Sequence, residues 1–250
     1  MLEPAKNTST STVRFYKCPS TKRMLAEKTL ISSSAPQQLF FREAKALQLL
    51  SGTIAPKFVE LKAEDGTGNV KLVMELVEGQ TLADRLSKVS LSSKECVQLC
   101  KQLVLTINHL HNAGITHLDL APNNIMLSNQ GEHSLVILDF AYCAFADELP
   151  FIRPRSSFAG HLNYAAPEQL GLGTDQITEK ADLYGLGLII REMFGYRDHI
   201  KDTYEAAIAF RQCNPDLRKL TPNWRQMVTQ LLKFVPEERV RILTHSDCST

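Results

Sequence analysis

The sequence predicts an α+β fold in two lobes, a reduced strand-rich N-terminal lobe followed by a larger helical C-terminal lobe. Three observations carry that prediction. The first third holds four short β-type runs around a single helical pattern. After Glu78-Gly79 the periodicity turns mainly helical. Between helical stretches lies His117-Leu118-Asp119-Leu120-Ala121-Pro122-Asn123-Asn124, a loop dense in residues that carry chemistry.

The elements follow in order. Val13–Tyr16 and Met24–Lys28 flank a turn at Pro19-Ser20-Thr21 and predict a hairpin. Gln38–Leu50 repeats Phe40, Ala44, Leu47 and Leu50 at near-helical spacing, and Gly52 stops it. Phe58–Leu61 and Val70–Leu76 predict two further strands joined through Asp65-Gly66-Thr67-Gly68. Ser92-Ser93-Lys94-Glu95 is a capping box. It opens a helix with the stripe Cys96, Leu99, Cys100, Leu103, Ile107 and Leu110, ending near Gly114. Ile125–Leu127 and Val136–Leu138 are short strands around Asn129-Gln130-Gly131. Helices are predicted over Lys180–Phe194, Tyr204–Arg211 and Trp224–Phe234, the last opened by Thr221-Pro222 as cap and first helical residue. The reading is one domain over residues 1–250, with an N-lobe to about 76, a hinge over 77–80 and a C-lobe over 81–250.

Composition narrows the function classes. The chain has 250 residues, 44% hydrophobic and 22% charged, enough to bury a sizeable core. Lys plus Arg number 28 against 27 Asp plus Glu, and this net charge of +1 provides no global field for nucleic acid or an anionic membrane. Six cysteines without a C-x-x-C pair predict free thiols in a reducing, cytosol-like compartment, the organism's own or that of a host cell. Met1–Thr12 has no apolar core of a secretory signal, and runs such as Leu183–Ile190 fall short of a membrane span.

Asp119 and Asn124 stand five residues apart, and Asp139 follows the next short strand. One strand hairpin therefore brings all three to one edge. Alone, each is most simply a cap or turn residue. Together, His117-x-Asp119-x-x-x-x-Asn124 followed by Asp139-Phe140 resembles the catalytic loop and metal-binding motif of eukaryotic-type protein kinases. Further segments follow in that family's order. Tyr164-Ala165-Ala166-Pro167-Glu168 resembles the end of the activation segment, and Asp182-Leu183-Tyr184-Gly185-Leu186-Gly187 the helix bracing the catalytic loop. Pro236-Glu237-Glu238-Arg239 resembles the segment whose Arg pairs with that Glu.

The resemblance implies phosphoryl transfer from ATP to Ser/Thr hydroxyls of proteins, a chemistry that rests on positioning and electrostatics. Asp119 would orient the acceptor hydroxyl and take its proton, while Asn124 and Asp139 would hold Mg²⁺ or Mn²⁺. Leu25-Ala26-Glu27-Lys28 resembles the V-A-x-K strand, making Lys28 the phosphate-binding cation and Glu43 its helix partner. Met74 would be the gatekeeper, with Glu75 and Val77 offering hinge backbone groups to adenine. Val13, Ala26 and Met126 would sandwich the ring, and Leu47, Leu61, Phe140 and His117 would stack between the lobes.

The chain departs from the family pattern in several places. The stretch Lys6–Ser11, where a Gly-rich loop is expected, has no glycine, and only five residues precede it, so the first strand is expected to be stunted or absent. The hydroxyls of Thr8, Ser9 and Thr10 are the substitute donors. Ala141 replaces the glycine after Asp139-Phe140. Leu118 replaces the Arg that receives an activation-loop phosphate, so activity is expected not to require phosphorylation of Ser156 or Ser157. Ala121 stands where Ser/Thr kinases carry a phosphate-contacting Lys, and Asn123 where tyrosine kinases carry Arg. His161 replaces a Thr, as a donor near Asp119. Tyr164 favours the Ser/Thr class, and Arg153, Arg155 and Lys180 are candidates for a basic pocket. The expectation is a compact, divergent kinase acting on protein of its own or a host cell, such as a microbial or viral effector. The alternatives are a pseudokinase scaffold and, with less support, a small-molecule kinase. Oligomeric state is left open.

Overall fold

Strand-forming residues open the chain. In the computed structural model, which describes residues 6–7, 11–30, 37–50, 52–63, 70–129, 134–152, 158–197 and 203–240, β1 (Lys6–Asn7), β2 (Ser11–Lys17) and β3 (Met24–Leu30) form an antiparallel ladder. β1 lies within the glycine-free stretch Lys6–Ser11; residues 1–5, where the first strand is expected, and residues 8–10 lie outside the described residues. Helix α1 spans Gln38–Leu50, with Phe40, Glu43, Ala44, Leu47 and Leu50 on its buried face. β4 (Phe58–Ala63) and β5 (Val70–Glu75) complete a five-stranded sheet in the order β1-β2-β3-β5-β4.

Register fixes which side chains share a face. Val13 lies opposite Lys28, Ala26 opposite Met74, and Lys28 opposite Leu72. Directly opposed residues project to the same side, as do residues i and i+2 on one strand. Val13, Ala26, Lys28, Leu72 and Met74 therefore line one face, and Glu75 lies on the other.

The connection out of the sheet is shorter than expected. Residues 76–78 have no regular structure, but Gly79 and Gln80 belong to β6 (Gly79–Thr81), which pairs with β8. A Cβ on Gly79 would sit 2.0 Å from the Leu127 carbonyl oxygen, so glycine is what allows this close docking. Helix α2 (Leu82–Lys88) follows, capped by Thr81, whose hydroxyl accepts from Asp84 N at 3.0 Å. The sequence reading missed it, since one two-turn helix gives little periodicity. α3 (Ser93–Asn112) carries the predicted capping box. β7 (Ile115–Thr116) leads into the catalytic-type loop, then β8 (Ile125–Ser128) and β9 (Ser134–Ile137) form a three-stranded sheet with β6.

Two-residue ladders, β10 (Ala144–Phe145) on β7 and β11 (Phe151–Ile152) on β12 (Gln176–Ile177), pin the segment after Asp139 to the C-lobe. α4 (Lys180–Met193) is buried along nearly its whole length. α5 spans Tyr204–Arg211 and α6 spans Pro222–Leu231, opening at Pro222 as the cap signal predicts and ending three residues earlier than the sequence suggests. Thr221 has the extended cap backbone but makes no side-chain cap bond; Pro222 opens the helix without it. One apolar cluster runs from Phe40 and Leu47 of α1 through Leu103 and Ile107 of α3, Ile125 and Phe140, to Ile190 and Trp224.

No helix among the described residues is long and apolar enough to cross a membrane. Cys18, Cys96, Cys100, Cys143 and Cys213 are free, as expected; Cys248 lies outside the described residues.

Candidate active site

The site lies where the β3 face meets α1 and the loops after β7 and β9. Lys28 is buried, and its ammonium donates to Glu43 Oε2 and to Asp139 Oδ1, each at 2.8 Å. Burial pulls the lysine pKa down, but the two carboxylates outweigh it and the net shift is upward. Burial pushes Glu43 upward, with Lys28 opposing. Asp139 is also pushed up by burial, but Lys28 prevails and holds it below its ordinary value. Lys28 thus stays cationic and Asp139 anionic.

The loop after β7 is held in a costly conformation. Leu118 has φ 63°, a left-handed value that costs a non-glycine residue about 1–2 kcal/mol. Asp182 at the start of α4 offsets this. Its Oδ2 accepts from His117 N at 2.7 Å and its Oδ1 from Leu118 N at 2.8 Å. Gln169 Nε2 donates to the Leu118 carbonyl at 2.8 Å. His117 closes the base of the loop. Its Nδ1 accepts from Asp119 N at 3.2 Å, which leaves Nε2–H to donate to Leu138 O at 3.0 Å. The same ring meets Phe140 edge-on at 5.1 Å, and Leu47 and Leu61 join the same core, as the stacked set requires.

Asp119 and Asn124 come together within this loop. Asn124 Nδ2 donates to the Asp119 carbonyl at 2.9 Å and to its Oδ2 at 3.2 Å. The Asn124 amide oxygen is then the atom available to a cation. Asp139 has Lys28 and, at 3.4 Å, Ala141 N on Oδ1, which leaves Oδ2. One amide and one carboxylate oxygen are hard donors that fit a small divalent cation keeping several waters. Among the described residues no cluster of three or more His, Cys, Asp and Glu could form a self-sufficient metal cage.

Around the sheet face, Ala26 is buried, while Val13, Met74 and Met126 are part-buried. Glu75 turns its side chain to Arg23 and donates its N–H to Lys57 O at 2.9 Å, so only its carbonyl is left for a ligand. Val77 lies in the irregular connection. Of the basic-pocket candidates, Lys180 Nζ donates to the Arg239 carbonyl at 2.8 Å, while Arg153 and Arg155, like Ser156 and Ser157, lie outside the described residues.

Sequence reasoning missed Gly160. His161 was read as a donor near Asp119, and both its backbone N and its Nδ1 lie on Asp119 Oδ1, at 2.7 and 2.8 Å. Gly160, at φ 129°, makes this approach possible. The only sequence signal was a glycine in a loop. Further off, Glu168 and Arg239 form a fully buried two-pronged pair at 2.6 and 2.7 Å.

A strand-borne lysine paired to a helix carboxylate, above a loop carrying Asp and Asn, defines a kinase-type phosphoryl-transfer fold. Residues 8–246 match the protein kinase domain family, and the chain belongs to the protein kinase superfamily. It is 32% identical over 186 residues to calcium-dependent protein kinase 33 of Arabidopsis thaliana, covering 73% of this chain and 33% of that protein. It is 29% identical over 197 residues to the serine/threonine-protein kinase PrkC of Bacillus subtilis, covering 77% and 29%. It is 25% identical over 241 residues to the ovarian-specific serine/threonine-protein kinase Lok of Drosophila melanogaster, covering 90% and 50%. The matched regions thus make up between about a third and a half of these relatives' lengths.

Proposed function

We propose that this chain is a Ser/Thr protein kinase domain, using ATP and Mg²⁺ to phosphorylate protein hydroxyls. The observation that carries this reading is Lys28 held between Glu43 and Asp139 at 2.8 Å from each. An ammonium fixed this way is aimed at nucleotide phosphates with no cost of reorientation at the moment of reaction. Residues 1–250 are taken as one domain, with the nucleotide between the sheet face and the floor formed by Met126 on β8. Val13, Ala26 and Met74 would contact adenine from the sheet side, and Glu75 and Val77 would offer it backbone groups.

In this reading Asp119 accepts the hydrogen bond of the acceptor hydroxyl and takes its proton as the new P–O bond forms. Asn124 and Asp139 would hold the metal, which supplies charge neutralisation on the phosphates. Ala121 leaves out one cation near the transferred phosphate in this reading, and His161 is the donor beside Asp119. Tyr164 favours the Ser/Thr class, and the Glu168–Arg239 pair favours a protein substrate over a small molecule. Serine/threonine-protein kinase is also what the names of PrkC and Lok print.

Radiolabelled ATP with Mg²⁺ or Mn²⁺ and a basic protein substrate tests the reading. Label is expected on the substrate with the wild-type chain, and a fall of about a hundredfold or more in Asp119→Ala and Lys28→Met. Nucleotide binding without label would instead make the chain a pseudokinase. Absence of both label and nucleotide binding would remove the enzyme reading altogether.

A further inference from the structure

Helix α1 brings Glu43 to Lys28, so its position along and around its own axis decides whether the site is assembled. Apart from Glu43 itself, its buried face, including Phe40, Ala44 and Leu47, is apolar and therefore non-directional. The directional contact is made by the residue immediately before Glu43. Arg42 Nη1 donates to the Cys143 carbonyl at 2.9 Å, and its Nη2 donates to Glu148 Oε1 at 2.9 Å. Nη1 also meets Glu148 Oε2, making the pair two-pronged. The guanidinium lies 5.6 Å from the Phe145 ring centre, and Lys45, one turn on, lies 3.8 Å from the same centre. Glu148 is itself aimed, since its Oε2 accepts from Phe145 N at 2.8 Å.

Two neighbouring residues of α1 thus grip the two ends of one short segment. Glu43 shares Lys28 with Asp139, and Arg42 holds residues 143–148 just downstream. A forked Arg–carboxylate contact fixes direction as well as distance, which a point charge would not. We infer that the Arg42–Glu148 fork is a built-in latch that positions α1 for the Lys28–Glu43 pair. The inference rests on the kinase reading for its effect on turnover, and on geometry alone for its effect on α1.

Arg42 and Glu148 are positioning residues, part-exposed, so their removal should leave the fold intact. The test is a double-mutant cycle with Arg42→Ala, Glu148→Ala and the double variant, measured two ways. Steady-state kinetics should show kcat lowered about tenfold in each single variant, KM for the protein substrate unchanged, and the double variant no worse than the Arg42 variant. Hydrogen exchange over residues 38–50 should speed up in all three proteins to the same degree. Additive effects of the two substitutions, or exchange in α1 indistinguishable from wild type, would overturn the latch. Absence of phosphotransfer in the wild-type chain would refute the kinase reading and leave the exchange experiment to decide the latch by itself.

Discussion

Oδ1 of Asp119 receives two donors from one residue, the backbone N and ring Nδ1 of His161. These aim the carboxylate, and Gly160 is what lets them approach. A Cβ on Gly160 would lie 2.7 Å from that same oxygen, at a φ of 129° that L side chains rarely adopt. Gly160→Ala should therefore push Asp119 off its position. A displacement of about 1 Å at a reacting group costs on the order of a hundredfold in rate, and kcat should fall by about that much, while the backbone strain at position 160 lowers the melting temperature by only about 2–4 °C. His161→Ala keeps the backbone donor and should lose only about tenfold or less. Equal kcat in Gly160→Ala and wild type would mean that the carboxylate is not held from this side. The contrast also shows what was legible residue by residue. Lys28, Asp119, Asn124 and Asp139 were legible because their motifs resemble those of protein kinases; each alone reads as a turn, cap or surface residue. Gly160 was not, because its role is a backbone angle and an empty volume, which a one-letter code does not carry. The Arg42–Glu148 fork escaped for another reason: its partners are 106 positions apart and both are common surface residues.

At the scale of elements, local chemistry was the readable part. The capping box of α3 stands as the sequence had it, with Glu95 N donating to Ser92 Oγ at 3.3 Å and Ser92 N donating to Glu95 Oε2 at 2.9 Å. Those bonds to Ser92, with a lesser contribution from Arg85, lower the Glu95 pKa from its ordinary 4.5 to about 2. A carboxyl with a depressed folded-state pKa stabilises fully above its unfolded value and loses that contribution as pH falls through the folded one. The α3 cap should thus be intact above pH 4.5 and fade toward pH 2. Melting Glu95→Gln beside wild type across that window checks it: the gap between the two should narrow as the solution is acidified, and a constant gap would contradict the cap's titration. The two-residue strands β7, β10, β11 and β12 had no such local signature. They exist because Thr116 meets Ala144 and Ile177 meets Phe151 across the fold, and long-range pairing is invisible to a period of two over two residues.

For the molecule as a whole, the Glu168–Arg239 pair links parts that lie 71 residues apart. Arg239 is fully buried, sits 5.0 Å from the Tyr184 ring centre, and also donates to the carbonyls of Lys180, Lys233 and Phe234. Lys180 returns a bond to the Arg239 carbonyl. The next residue after Glu168, Gln169, reaches the catalytic-type loop through Leu118 O. Asp182, two positions after Lys180, reaches the same loop through His117 N and Leu118 N. The C-terminal segment, the 164–170 region and the strained loop are thus parts of one bonded assembly. Removing one member of a buried pair leaves an uncompensated charge and costs roughly 3–5 kcal/mol. Arg239→Ala should accordingly lower the melting temperature by roughly 10 °C or more. Glu168→Leu with Arg239→Met, which removes both charges and keeps volume, should recover much of that loss, because a well-packed apolar pair need not desolvate ions. Thermal unfolding of the three proteins decides the point. A double variant as unstable as Arg239→Ala would show that the carbonyl bonds of Arg239, rather than its charge pair, hold the assembly together.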